Sequence, residues 1–206
     1  LTRDRAAAQD LAMNRADPLR ERVVDLLTGG GAHASVREGL SNFPAARCGN
    51  RVRGSPHTAL ELLEHMRIAQ RDLLDYALIP GFESPPFPEG YWPKSASPPN
   101  ERAWSTSLRR FFADQREAIA IARDRKRDLL APLAHAPDTN LLLQLFLVAS
   151  HNSYHLGQVM LLRRTLESIA REKRREKQRE KQRVNRREKQ RETPRVNRRT
   201  SRRSNR

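Results

Sequence analysis

The chain has 206 residues, with 40 Lys/Arg against 24 Asp/Glu, 37% hydrophobic and 5% aromatic residues, a length that suits one domain with flanks. Its net charge of +16 is concentrated at one end: positions 171–206 hold 18 Lys/Arg and 5 Glu, which leaves 22 basic and 19 acidic residues for positions 1–170. A single cysteine, Cys48, excludes an intramolecular disulfide and an oxidised secreted scaffold, and the longest apolar run, Leu141–Leu147, is broken by Gln144 and too short to span a bilayer.

Residues 1–16 read as an Ala-rich, charged N-terminal flank, weakly helical or disordered. They lack the basic start and long apolar core of a signal peptide and an initiator Met. The numbering is therefore expected to begin inside a longer product, and cytoplasm is the default location. Asp17 reads as an N-cap with Pro18 at the first helical position. Leu19, Val23, Val24, Leu26 and Leu27 supply the apolar face of that helix, and Gly29-Gly30-Gly31 stops it. No GK[ST] follows those glycines, so they are not a phosphate loop. Ser35–Asn42 has room for one or two helical turns, and Phe43–Pro56 is a loop by composition.

A second strong helix is expected to open at Ser55-Pro56 and run to about Leu78, with Ala59, Leu62, Met66, Ala69, Leu73 and Tyr76 on one face. His65 lies at the edge of that face, about 60° from its centre. Glu83–Pro99 holds six prolines around Tyr91-Trp92-Pro93, which predicts an ordered surface loop pinned by its aromatics. Asn100 reads as the cap of a third helix, about Glu101–Arg127, with Trp104, Leu108, Phe111, Phe112, Ile119 and Ala122 inward. A connection with Pro132, His135 and Pro137 covers Leu129–Asn140. The last helix is expected from Thr139 or Asn140 to Ile169. No stretch sustains apolar–polar alternation, so no sheet is expected. The fold class is all-α, an up-and-down-type four-helix bundle, with the bundle domain at 17–169.

Residues 170–206 form a basic low-complexity tail. RREKQRE at Arg174–Glu180 recurs at Arg186–Glu192, and RVNRR at Arg183–Arg187 recurs at Arg195–Arg199, both with a period of 12. With Val184 and Val196 its clear apolar residues, the tail cannot build a core. Its first part is expected to extend the last helix, because Glu, Lys, Gln and Arg favour helix. Thr193-Pro194 and the final Ser/Asn/Arg run are expected to be disordered.

The chemistry points to His151 and His155. Placed four apart, they share one helix face, where two imidazoles can bind one metal ion. Gln144, His151, His155, Gln158 and Leu162 lie within about 40° of one line, flanked by Leu147 and Val148, so the pair is expected to face inward. An inward polar group without a partner costs about 1–3 kcal/mol. A shared metal answers that cost. A set of hydrogen-bonded core histidines answers it equally. Position 152 is Asn rather than the Glu of an HExxH metalloprotease, which removes the protease reading. The third ligand is sought among the other histidines. His33 falls in a Gly-rich turn, His57 beside Pro56 at the helix start and His135 in a loop between two prolines, and all three are expected at the surface or in loops. His65, mid-helix at the edge of the buried face, is the candidate. Cys48 lies between Arg47 and Arg51, which are expected to lower its pKa, yet no partner base is identifiable and a free, surface or half-buried thiol is expected. Trp92 and Trp104 suit either a pocket mouth or the core.

The run Pro56–Gln70 (PHTALELLEHMRIAQ) resembles the second helix of the DinB-like (DinB/YfiT) superfamily of metal-binding four-helix-bundle proteins. Glu89-Gly90-Tyr91-Trp92-Pro93 and His151–Gln158 with Leu161-Leu162-Arg163-Arg164 are similar to one branch of it. Order and spacing agree from about Asp17 to Glu167. The chain departs at Leu60, where an aromatic is common, and in the basic repeat tail. The resemblance implies a four-helix bundle holding a divalent metal, zinc or nickel, on His65, His151 and His155. It also implies an enzyme that uses a low-molecular-weight thiol, an S-transferase or isomerase, with a hydrolase as the variant. No general base is nominated. The expected partners are a small-molecule substrate and nucleic acid weakly through the tail, with no membrane; a homodimer is left open. The alternative is a non-catalytic, stress-related metal-binding bundle whose tail binds nucleic acid without specificity.

Overall fold

The computed structural model describes residues 17–95, 98 and 100–201, with side chains as far as residue 190. The N-terminal flank and the last five residues lie outside the described residues. The chain divides into two compact units, Leu1–Arg163 and Arg164–Arg206.

In the first unit α1 spans Pro18–Thr28, with Pro18 in the first turn and the Asp17 side chain accepting from the backbone N–H of Leu19 and Arg20. The helix stops at Gly29, whose φ of 70° suits a residue without Cβ. Val23, Val24 and Leu27 are buried, whereas Leu19 and Leu26 stand 40% and 51% exposed. The apolar face is thus narrower than the sequence pattern suggests. Arg20 reaches across to the end of the third long helix and donates to the carbonyls of Ala122, Asp124 and Arg127. A guanidinium there satisfies orphan carbonyls and meets the negative end of the helix dipole. A short helix α2, Val36–Ser41, starts in a reciprocal capping box between Ser35 and Glu38.

Helix α3 covers Ala59–Leu78. It starts later than the expected Ser55-Pro56 because Thr58 and Glu61 form a capping box, Thr58 Oγ1 accepting from the Glu61 N–H at 3.2 Å and the Glu61 carboxylate accepting from the Thr58 N–H at 2.6 Å. Helix α4 covers Ala103–Arg123, shorter than expected at both ends; Asn100 accepts from the Arg102 N–H in the turn before it rather than capping it. The expected loop at Leu129–Asn140 holds a small antiparallel hairpin, β1 at Pro132–Leu133 with β2 at Ala136–Asn140. This corrects the expectation of no sheet. A two-residue strand is too short to carry a period-2 signal, and the hairpin buries Leu133 beside Leu129 in the core.

Helix α5 spans Leu141–Ser201, and its residues to Arg163 belong to the first unit. Asn140 Oδ1 accepts from the Leu143 N–H at its start. The core joins α1, α3, α4, the hairpin and α5 through Leu27, Leu74, Ala118, Ala122, Leu129, Leu145 and Val148. Among the described residues the fold is all-α apart from the hairpin, with four longer helices around one core, as the periodicity predicted. In the second unit the helix continues well past Ile169 and through Thr193-Pro194, where disorder was expected. The side chains of 171–190 are all exposed, so the helix there rests on the propensity of Arg, Glu, Lys and Gln rather than on packing.

Candidate metal centre

Helix α5 presents a buried face centred on Asn152, with Leu145, Val148, Leu156 and Val159 within about 40° of it. His155 and His151 lie about 60° and 100° from that centre, at the edge rather than the middle. His155 is 7% exposed and His151 is half-buried. Leu147, expected to flank them inside, is 41% exposed for the same reason. The face is held in place by Asn152, whose Nδ2 donates to Gln70 Oε1 at 2.8 Å, while Gln70 Nε2 donates to the carbonyl of Phe111. Gly39 of α2 lies against Leu156, where any Cβ would overlap the leucine side chain. This close approach fixes α5 one residue from His155.

His65, 8% exposed on α3, meets the pair. His65, His151 and His155 offer nitrogen atoms that all lie within 4.8 Å of one another, and no other His, Cys, Asp or Glu joins that group among the described residues. His65 Nε2 and His151 Nε2 are 3.0 Å apart. A tetrahedral zinc with Zn–N of 2.0–2.1 Å places its ligand nitrogens about 3.4 Å from each other, so small adjustments suffice for three nitrogens at these separations. The backbone carbonyl of Tyr91 accepts from His65 Nδ1 at 2.9 Å, and Gln158 Oε1 lies 2.9 Å from His155 Nδ1. A carbonyl oxygen only accepts, so both rings carry their proton on Nδ1, which leaves each Nε2 its lone pair, that of His65 facing His151.

Electrostatics favour the same state. Burial, reinforced by the neighbouring imidazoles, pushes His151 down to about 4. Burial also lowers His65, with His155 and His57 adding to the effect, and burial together with His57 lowers His155. All three rings are therefore neutral at neutral pH, the form that ligates a metal. The residues present fit a divalent ion: three neutral imidazoles, two with fixed tautomers, and no fourth protein ligand among the described residues.

Trp92 walls the site. Its ring stacks on His65 at 4.0 Å between centroids and 4° between planes, and on His57 at 3.8 Å and 14°. Two rings so close to one indole must lie on opposite faces, so Trp92 is sandwiched between them. The loop carrying Trp92 is tied down at Tyr91, whose hydroxyl donates to Asp72 Oδ2 at 2.7 Å. Beyond it, Glu64 and Pro93, the chain neighbours of His65 and Trp92, line a groove of about 500 Å³ with Leu60, Ala103, Ser107 and Arg110.

The other expectations divide. His33 is exposed on a turn, and His135 is exposed with Nε2 2.7 Å from the Tyr76 carbonyl, so neither joins the site. His57 precedes α3 as expected, but its ring packs on Trp92 rather than facing solvent alone. Trp104 is core, packed against Phe43 with the rings tilted 38° at 4.9 Å between centroids. Cys48 is 2% exposed, and burial pushes its thiol up rather than down. Arg51 is turned away from it to the Pro56 carbonyl and Glu61. Sequence reasoning missed the Tyr91 carbonyl, a main-chain acceptor that leaves no trace in residue type, and the His57–Trp92 stack, for which Tyr91-Trp92-Pro93 among prolines was the available signal.

No curated protein matches the chain. A model of the DinB superfamily matches residues 31–159, more than half the chain, from the turn before α2 to beyond His155. The matched span contains all three clustered histidines, and the helical fold agrees with it, so the chain belongs to the DinB superfamily.

Proposed function

We propose that His65, His151 and His155 hold a divalent metal ion, zinc or nickel, and that the protein is a metal-dependent enzyme acting on a low-molecular-weight thiol, as an S-transferase or isomerase. The observation that carries this reading is the donor set: three neutral imidazoles brought within 4.8 Å, with no fourth protein ligand in the group among the described residues. Structural zinc is usually closed by four protein ligands, whereas three leave a position for a reactant. A bound divalent ion supplies Lewis acidity there, lowering the pKa of a thiol or a water at neutral pH. The protein's own part is orientation and exclusion of water. Tyr91 and Gln158 fix two ring tautomers, Trp92 covers one side, and the half-buried His151 marks the side left open. The groove past Trp92 and Pro93, apolar with Arg110 and Glu64 at its walls, is the proposed seat of the small-molecule co-substrate.

A thiol that ionises on the metal needs no protein base, which fits a cluster without a carboxylate. The same lack of a carboxylate favours, as a second reading, a metal-binding bundle without catalysis. Metal analysis of the purified protein beside His65→Ala and His151→Ala tests the first step; full occupancy in both variants refutes the site. The cobalt-substituted protein, offered a small thiol and an electrophile, tests the second. The enzyme reading expects sulfur-to-cobalt charge-transfer absorption and consumption of the thiol. Metal bound with neither signal leaves the non-catalytic bundle.

A further inference from the structure

The second unit takes no part in the histidine cluster. Across 171–190 its backbone is helical and every residue is exposed. Within the 12-residue repeat lies a shorter one. Arg171, Arg175, Arg179, Arg183 and Arg187 recur at every fourth position; Glu172, Glu176, Glu180 and Glu188 follow them, then Lys173, Lys177, Lys181 and Lys189. Four residues of α-helix rise about 6 Å and turn about 400°, so each column advances about 40° per step. At every level but that of Arg183, where Val184 and Asn185 take their places, the Glu column stands about 100° to one side of the Arg column and the Lys column lies nearly opposite. The fourth column, about 60° to the other side, holds Arg174, Gln178, Gln182 and Arg186. Five arginines thus make a right-handed stripe about 24 Å long, flanked by basic or neutral side chains on one side and carboxylates on the other.

We propose that this stripe is a docking surface for double-stranded nucleic acid, engaging the phosphates of one strand without reading bases. The proposal is independent of the metal centre. A step of about 6 Å offers a guanidinium to roughly every second phosphate, since one strand carries a phosphate per 3.4 Å of helix axis. Guanidinium is the side chain suited to bidentate phosphate contact. The unit has no aromatic residue on which single-stranded bases could stack. Val184 is its clear apolar residue over 171–190, so it lacks the face by which an interfacial helix enters a membrane. Glu and Arg at i and i+3, as in Glu176 and Arg179, support the helix before any partner arrives. The stripe turns through about 160° from Arg171 to Arg187, so about four arginines face one strand together.

Four phosphate contacts set a slope of about −3.6 for log affinity against log salt, a fall of about 150-fold between 50 and 200 mM. The test uses the full chain and a fluorescently labelled 30-base-pair duplex of mixed sequence, read by anisotropy over that salt range. Wild type is expected near the calculated slope. Arg175, Arg179 and Arg183→Gln should bring it to about −1 and weaken binding at 50 mM at least tenfold. The charge-matched variant with Lys173, Lys177 and Lys181→Gln should keep a slope within about one unit of wild type. Gln is a good helix former, and circular dichroism confirms equal helicity in all three proteins. Absence of wild-type binding at 50 mM overturns the proposal. Equal losses in the two variants also overturn it, because binding would then follow net charge. Tighter binding to anionic phospholipid vesicles than to the duplex, lost in the arginine variant, assigns the stripe to membranes and overturns it as well.

Discussion

Lowering the pH of the metal-loaded protein separates a buried three-imidazole centre from three histidines near a surface. Protons and metal compete for the same nitrogens. An ordinary imidazole titrates near 6.5, so at pH 5.5 each of three such ligands costs about tenfold in apparent affinity, about 10³-fold together. Here burial and the two neighbouring rings hold His151 at about 4, and at pH 5.5 its share of that loss is negligible. His65 and His155 are lowered as well. The total loss between pH 7.5 and 5.5 is therefore expected below about 10²-fold, with steep release only nearer the pKa of His151. A chromophoric chelator, calibrated for its own protonation at each pH, reads the affinity directly. A fall of 10³-fold by pH 5.5 would show the rings to be solvated and refute the account of the site. The metal-free protein carries the complementary sign. Its three clustered histidines have depressed pKa values in the folded state, so the unfolded chain binds more protons at acid pH. Their contribution to stability is complete above about 6.5 and is lost as the pH falls toward 4.

Tyr91→Phe removes the donor to Asp72 Oδ2 and leaves a buried carboxylate whose Oδ1 already lacks a partner. Stability is expected to drop by about 2–3 kcal/mol and metal affinity by about tenfold, as the loop carrying the acceptor of His65 loosens; denaturant melts and chelator competition measure the two. Gln70→Leu strips Asn152 of its partner in the core and should cost about 1–3 kcal/mol in a urea melt, whereas an unchanged midpoint would mean that the pair carries no weight. Gly39→Ala forces a methyl group into Leu156 and should destabilise by about 1–3 kcal/mol. Arg20→Met, which keeps the stem but abandons the carbonyls at the end of α4, should cost about 1.5–3 kcal/mol with no change in metal content.

The fold was legible where local chemistry and burial agree. Asp17 with Pro18 marked α1 because the cap and the fixed φ act within one turn. The start of α3 was misplaced although its signal was present: Ser55 lacks an acidic residue three positions on, whereas Thr58 has Glu61. Leu19, Leu26 and Leu147 read as core but are exposed, because periodicity gives the width of an apolar stripe only to within a residue on either side. Which edge is covered depends on where neighbouring helices stop, a non-local fact. The hairpin was invisible for the opposite reason: its two-residue strand is held by contacts around Leu129 and Leu133 and not by its own pattern.

At the site, a pattern reading put the histidines in the middle of the buried face. Asn152 occupies that place instead, and the error bears on function. A histidine at the centre of a core is packed on every side and leaves no open position for a reactant. His151 and His155 stand on the rim, with Asn152 and Gln70 filling the polar centre behind them. The rim position keeps His151 half-buried: dry enough to stay neutral, open enough for a ligand to approach. What completes the centre is the chain Asp72–Tyr91–His65, in which a carboxylate holds a hydroxyl and the same tyrosine's carbonyl orients the ring. Two of those links are side chains that sequence can show. The third is a peptide oxygen whose position depends on the whole proline-rich loop, so the candidate ligands could be named from residue types while the part that aims them required the fold.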